Sequence, residues 1–164
     1  MLIQRETPVD RAGIHAVTAA AFADPEHPGT PPPEAVLVDR LRDSDGWLPA
    51  LSLVARTAAG IVGHVVCTRA HLDSAAVLGL GPLSVHPGHQ RRGVGLALMH
   101  TVLGAADALG EPLVVLLGDP RYYCRFGFRL AQDYDIAPPV AQWRPHFQAR
   151  TLSTFDPSLR GTFA

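Results

Sequence analysis

Leu83-Ser84-Val85-His86-Pro87-Gly88-His89-Gln90-Arg91-Arg92-Gly93-Val94-Gly95 joins three local signals in one stretch. Its apolar, strand-like start ends at Val85, a Pro-Gly turn follows, and residues 90–95 open an apolar-periodic helix. That order leaves free backbone N–H groups at a helix N-terminus, beside two arginines and two glycines that keep side chains out of the way. Such a turn suits a phosphate or pyrophosphate. The competing reading is that Gly93 and Gly95 only let the helix pack close to a strand. The preceding strand, the Pro-Gly turn and the paired arginines favour the phosphate.

Two better-known glycine motifs fail. The dinucleotide fingerprint needs a third glycine where Leu98 stands, and an acidic residue about 20 positions on that ends a second strand. The P-loop needs Gly-Lys-Ser/Thr, and the chain has no lysine.

At 164 residues the chain is read as one domain, 1–164, large enough to bury a core without staples. Its 47% hydrophobic and 18% charged residues describe a soluble globular protein. A net charge of −1 gives no footprint for nucleic acid or an anionic membrane. Cys67 and Cys124 are too few for a disulfide framework, and no signal peptide or spanning apolar run is visible, so a cytoplasmic setting is expected. His86 and His89 sit in the Pro-Gly turn without acidic or Cys partners, so no metal is expected.

Along the chain, residues 2–5 read as a strand. Thr7-Pro8-Val9-Asp10 then signals a helix start, with the helix running to about Phe22. A Pro- and Gly-rich loop over 24–33 leads to a second helix with Val38 and Leu41 on its buried side. Residues 51–55 and 61–68 form a hairpin, and 77–85 a further strand. The helix after Gln90 carries Leu96, Met99, Val102, Leu103 and Ala106 at helical period and stops at Gly110. Leu113 to Leu117 is an apolar run expected to be covered on both faces. Pro120 to Arg125 is a short helix, and strands near 128–131 and 147–152 close the chain. This is a mixed α/β layer around one sheet.

Gln-x-x-Gly-x-Gly after a β-strand resembles the acyl-CoA pyrophosphate loop of the GNAT superfamily of N-acetyltransferases. The order of elements is similar to that fold from end to end, with a central, mostly antiparallel sheet flanked by helices. A second motif, residues 118–128 with Tyr122-Tyr123-Cys124-Arg125-Phe126-Gly127-Phe128, resembles the Tyr-x-x-x-Gly-Phe element late in these enzymes, and a small bacterial subgroup in particular. The resemblance implies transfer of an acetyl group from acetyl-CoA to a primary amine of a small molecule or peptide, by direct attack in a ternary complex. It implies that Tyr123 protonates the departing thiolate. The strands at 79–85 and 113–117 would splay, so that Leu83 and Val85 pair with pantetheine. Gln90, Arg91, Arg92, Gly93, Val94, Gly95 and Leu96 would hold the pyrophosphate.

The plain alternative for Tyr122, Tyr123, Phe126 and Phe128 is an aromatic core cluster. Glu34 and Asp119 are candidates for a general base, with a solvated helix face and a helix N-cap as their plainer roles. Cys124 reads as a buried, reduced thiol. His64 and His71 flank a strand and could face the acceptor cleft, with satisfied structural histidines as the plainer reading. Asp24, Glu26 and His27 could greet a cationic acceptor. The last strand offers an edge that a second copy could cover, making a homodimer. Two other classes stay open: a non-catalytic acyl-CoA-binding module, and a nucleotide-binding protein using the same helix N-terminus.

Overall fold

The computed structural model describes all 164 residues. Its elements are β1 (Leu2–Arg5), α1 (Arg11–Ala21), α2 (Pro33–Arg42), β2 (Ser52–Thr57), β3 (Gly60–Leu72), β4 (Ala75–Val85), α3 (Val94–Ala108), β5 (Leu113–Leu117), α4 (Pro120–Tyr123), β6 (Arg129–Leu130), β7 (Ile136–Ala137), β8 (Phe147–Thr151) and β9 (Gly161–Thr162). Seven strands hydrogen-bond in the order β1-β2-β3-β4-β5-β8-β6, and β7 pairs with β9 in a second, two-stranded sheet. β1–β2, β2–β3, β5–β8 and β6–β8 are antiparallel, whereas β4–β5 is parallel. The mixed α/β expectation holds. Contacts divide the chain into two compact units, Met1–Cys67 with Pro82–Val102, and Thr68–Gly81 with Leu103–Ala164.

In the first unit, the α1 start follows from its sequence. Asp10 accepts the Thr7 N–H (2.9 Å) and hydroxyl (3.0 Å), while Arg56 donates to its other oxygen at 2.5 Å. The helix then buries Ile14 with Val38 of α2 and Val54 of β2, and Ile61 packs against the group. Leu41 is only half-buried. On the other face of β3, Gly63 lets α3 come close: a Cβ there would lie 2.9 Å from Leu98 and from Val94. β3 thus supplies a close-packing glycine, whereas Gly93 in the turn before α3 meets no neighbour.

In the second unit, Ala70, Leu72, Val77, Leu113, Val115, Phe147 and Ala149 form one core with Ala131 and Ile136. β3 runs to Leu72, four residues past its expected end at Thr68, and turns into β4 through Asp73, which takes φ 49°. Arg69, outside that core, donates to both Glu111 oxygens (2.8 and 2.5 Å) and to the Val77 carbonyl (3.2 Å). The last strand is not a bare edge, because β9 pairs with β7 and Phe163 bridges Leu72.

Two burial expectations need correction. Leu96 is 47% exposed, and the buried stripe of α3 runs through Val94, Leu98, Met99, Val102, Leu103 and Ala106 instead. Leu117 is also exposed, although Leu113 to Leu116 are buried as expected.

Candidate active site

In the first unit, the end of β4 and the start of α3 build a cradle of backbone donors. The His86 N–H bonds the Val62 carbonyl of β3 (2.9 Å). Since backbone groups alternate in direction along a strand, Val85 and Leu83 turn theirs to the opposite edge. β4 pairs with β5 only through Leu78–Val114 and Gly79–Val115. Just beyond, Gly81 takes φ 140°, a conformation that L side chains rarely adopt, and Pro82 has no N–H. The ladder stops at this break. Leu83 thereby keeps an unpaired N–H and C=O, while the Val85 carbonyl accepts the Gln90 side-chain amide (3.1 Å).

The turn that follows is closed by short bonds. Gly88 N–H donates to His86 Nδ1 (3.0 Å) and His89 N–H to the His86 carbonyl (2.8 Å). The His86 ring is thus engaged within the loop, whereas His89 contributes only its backbone N–H. Arg91 then takes φ 61° and Gly93 φ 82°, left-handed values of the kind found where backbone N–H groups line an anion-binding nest. The first helix-type bond of α3 is Ala97 N–H to the Gly93 carbonyl (3.0 Å), which leaves the amides before it for a ligand. Nothing lies within 4 Å of where a Gly93 Cβ would sit. Arg91 and Arg92 are exposed and make no ion pair. The open space, the bare amides and the free guanidinium groups together fit a pyrophosphate.

In the second unit, Asp119 caps α4 by accepting the Arg121 N–H (2.9 Å). Tyr123, at the end of that single turn, lies edge-on to Tyr122 (4.9 Å between centroids) and to Phe128 (5.9 Å). Phe126 and Phe128 are buried, so the aromatic cluster is real. The Tyr123 ring belongs to it, yet its hydroxyl bonds no protein group. Burial, with a smaller effect of Tyr122, pushes its pKa up to about 12. The phenol therefore stays protonated and keeps an O–H to give.

Other expectations separate here. Arg121 hydrogen bonds hold the Asp119 carboxyl below the usual carboxylate range, which suits a cap and not a base. Cys124 is exposed, contrary to the reading of a buried thiol, because it lies on the outward side of the turn after α4 between Arg121 and Arg125. Asp24 spends its oxygens on the Glu26 N–H (2.9 Å) and the His27 ring (2.7 Å), so little is left to meet a cation. Glu34 and His71 lie on α2 and β3 without a catalytic partner.

One polar group escaped the sequence reading: a buried network of Glu6, Arg42, Ser52 and His64. The Ser52 hydroxyl donates to Glu6 (2.6 Å), so it accepts from His64 Nε2 (2.9 Å), and Arg42 donates to Glu6 at 2.7 and 3.2 Å. His64 is accordingly the Nε2–H tautomer, and its buried Nδ1 has no partner. These four residues lie far apart in sequence and no spacing announces them. Among the described residues, no group of three or more His, Cys, Asp and Glu side chains is placed to hold a metal. No helix is long and apolar enough to cross a membrane.

A family model for the acetyltransferase (GNAT) domain matches residues 49–130. The chain is 33% identical over 164 residues to the N-acetyltransferase YhbS of Escherichia coli strain K12, covering 98% of this chain and 92% of that one. The crystal structure of Escherichia coli YhbS in complex with CoA matches with a TM-score of 0.86 at 29% identity, over 99% of this chain and 87% of that one. A GNAT family acetyltransferase from Brucella melitensis, solved with acetyl-CoA, matches with a TM-score of 0.78 at 33% identity, over 99% of this chain and 94% of that one.

Proposed function

Because the chain belongs to the GNAT family and is an acetyl-CoA-dependent N-acetyltransferase, we propose that it acetylates a primary amine of a small molecule or peptide by direct attack, with both substrates bound. Residues 1–164 act as one catalytic domain, in the reduced cytoplasm that two cysteines without a disulfide suit. Leu83 and the Val85 N–H pair with the pantetheine amides as an added strand would. The amides of Gln90, Arg91, Arg92, Gly93, Val94, Gly95 and Leu96 take the pyrophosphate, with the two guanidinium groups adding charge-assisted bonds. The exposed Leu96 sits on this first turn of α3, where a packing role would have buried it.

In the chemical step the amine nitrogen bonds to the thioester carbonyl carbon and the carbon–sulfur bond breaks. Tyr123 gives its proton to the departing thiolate, the amine's proton leaves to water, and water returns a proton to the phenolate. Holding two substrates in one frame supplies most of the rate gain.

The observation that carries this reading is Gly93, which takes a left-handed φ with open space above it, as a site for close approach of a phosphate requires. The test is thiol release from acetyl-CoA across a panel of amines, with thermal stabilisation by acetyl-CoA compared with that by NAD and ATP. Amine-dependent thiol release and selective stabilisation by acetyl-CoA are expected. Stabilisation without thiol release for any amine would mean a binding module, and equal stabilisation by ATP would overturn the site.

A further inference from the structure

Tyr123 has no bond from its own hydroxyl to fix its aim, and α4 is a single turn, too short to hold its geometry alone. The aim of the phenol is therefore set by whatever holds the segment over residues 118–127. Gln148 and Arg150 lie two apart on β8 and so share one face of the strand. The Gln148 amide donates to the Gly118 carbonyl (3.0 Å) and to the His146 carbonyl (3.3 Å). Arg150 donates through Nε to the Phe126 carbonyl (2.8 Å) and through Nη1 to the Thr151 carbonyl (2.6 Å). The segment is thus held at its first residue and next to its last from one strand face.

Both ends are also closed by contact. A Cβ at Gly118 would lie 2.5 Å from the Tyr123 ring, and one at Gly127, where φ is 83°, would lie 2.7 Å from Arg150 Nε. The Gln148 side chain is buried, and its Oε1 has no partner. A leucine would fill that volume without a bare oxygen. What the glutamine adds is the donor on the Gly118 carbonyl.

We propose that Gln148 and Arg150 are positioning residues that set the Tyr123 hydroxyl for proton transfer; the inference rests on the reading of Tyr123 as the acid. Gln148→Leu exchanges a bare Oε1 for a bare Gly118 carbonyl, while the His146 carbonyl keeps the Gly118 N–H (2.9 Å). Its melting temperature should therefore stay near wild type. Misplacing a proton donor by about 1 Å costs up to about 100-fold, so kcat should fall by about 10- to 100-fold at unchanged acetyl-CoA affinity.

The experiment measures kcat, acetyl-CoA affinity and melting temperature for Gln148→Leu and Arg150→Met, alone and combined with Tyr123→Phe, using the amine with the fastest thiol release. Neither clamp substitution should lower kcat further once the Tyr123 hydroxyl is gone. If Tyr123→Phe is impaired but Gln148→Leu keeps full kcat, or its loss adds to that of Tyr123→Phe, the clamp is wrong and the acid stands. If Tyr123→Phe keeps full kcat, the acid falls and the clamp with it. Should Arg150→Met fail to fold, Gln148→Leu decides alone.

Discussion

A phenol with a pKa near 12 is a donor at any physiological pH, and this restricts what Tyr123 can do. It cannot serve as a base; as an acid it acts only while charge builds on the departing sulfur in the transition state. Tyr123→Phe removes one O–H and almost no volume, so the melting temperature should not move. Turnover should drop by about 100- to 10,000-fold, with acetyl-CoA affinity retained. Tyr122→Phe is the matched control, because that ring packs under the Arg125 guanidinium (4.6 Å) and should tolerate the change. Equal turnover in wild type and Tyr123→Phe, with chemistry shown to limit the rate, would refute the acid. At the other motif, Gly93→Ala meets no atom, so its cost of about 1–2 kcal/mol comes from the left-handed backbone alone. Calorimetry should show acetyl-CoA affinity falling more steeply in Gly93→Val than in Arg92→Ala, since one exposed guanidinium is only one of several donors.

At the scale of elements, β4 is a strand interrupted on purpose. Gly81 at φ 140° ends the ladder with β5 and leaves Leu83 with unpaired backbone groups. Gly81→Ala meets no neighbour within 4 Å, so its effect is purely conformational, about 1–3 kcal/mol by urea denaturation. It should also weaken acetyl-CoA binding, whereas Gly104→Ala on α3, likewise without close neighbours, should not. Much of this was legible in the sequence where the signal is short-range. Thr7-Pro8, the Pro87-Gly88 turn and Gly110, which takes φ 78°, fixed their boundaries through local backbone preference. Contacts distant in sequence were not legible. β3 continues past Thr68 because Ala70 and Leu72 find Ile136 and Phe147, and nothing near Leu72 reveals that. Leu96 fits the helical period yet faces outward, since period assigns a face and not its cover. Gly81-Pro82 inside a strand was a readable sign of a break that passed unused.

For the whole molecule, the network of Glu6, Arg42, Ser52 and His64 makes stability depend on acid. Burial lowers the His64 pKa below its ordinary value, against the opposing pull of Glu6. Burial raises that of Glu6, but the bonds from His64, Arg42 and Ser52 and the charge of Arg42 outweigh it and hold the carboxyl at about 2, down from 4.5. In both cases the unfolded chain binds the proton more readily than the fold does. Stability is therefore full above the ordinary histidine value of about 6.5 and declines as pH falls below it. It falls further between 4.5 and about 2 as Glu6 protonates. Melting curves across this range should show both declines. Glu6→Gln should flatten the lower one and cost about 2–3 kcal/mol at neutral pH, because Arg42 then keeps only Asp39. A melting temperature constant down to about pH 4 would contradict the network. The two cysteines give the same molecule a built-in clock. A thiol reagent meets Cys124 at once, but reaches Cys67, wholly buried in β3, only when the chain opens. With reagent in enough excess to outpace reclosing, the second label added per molecule over time thus counts opening events, in water and without denaturant.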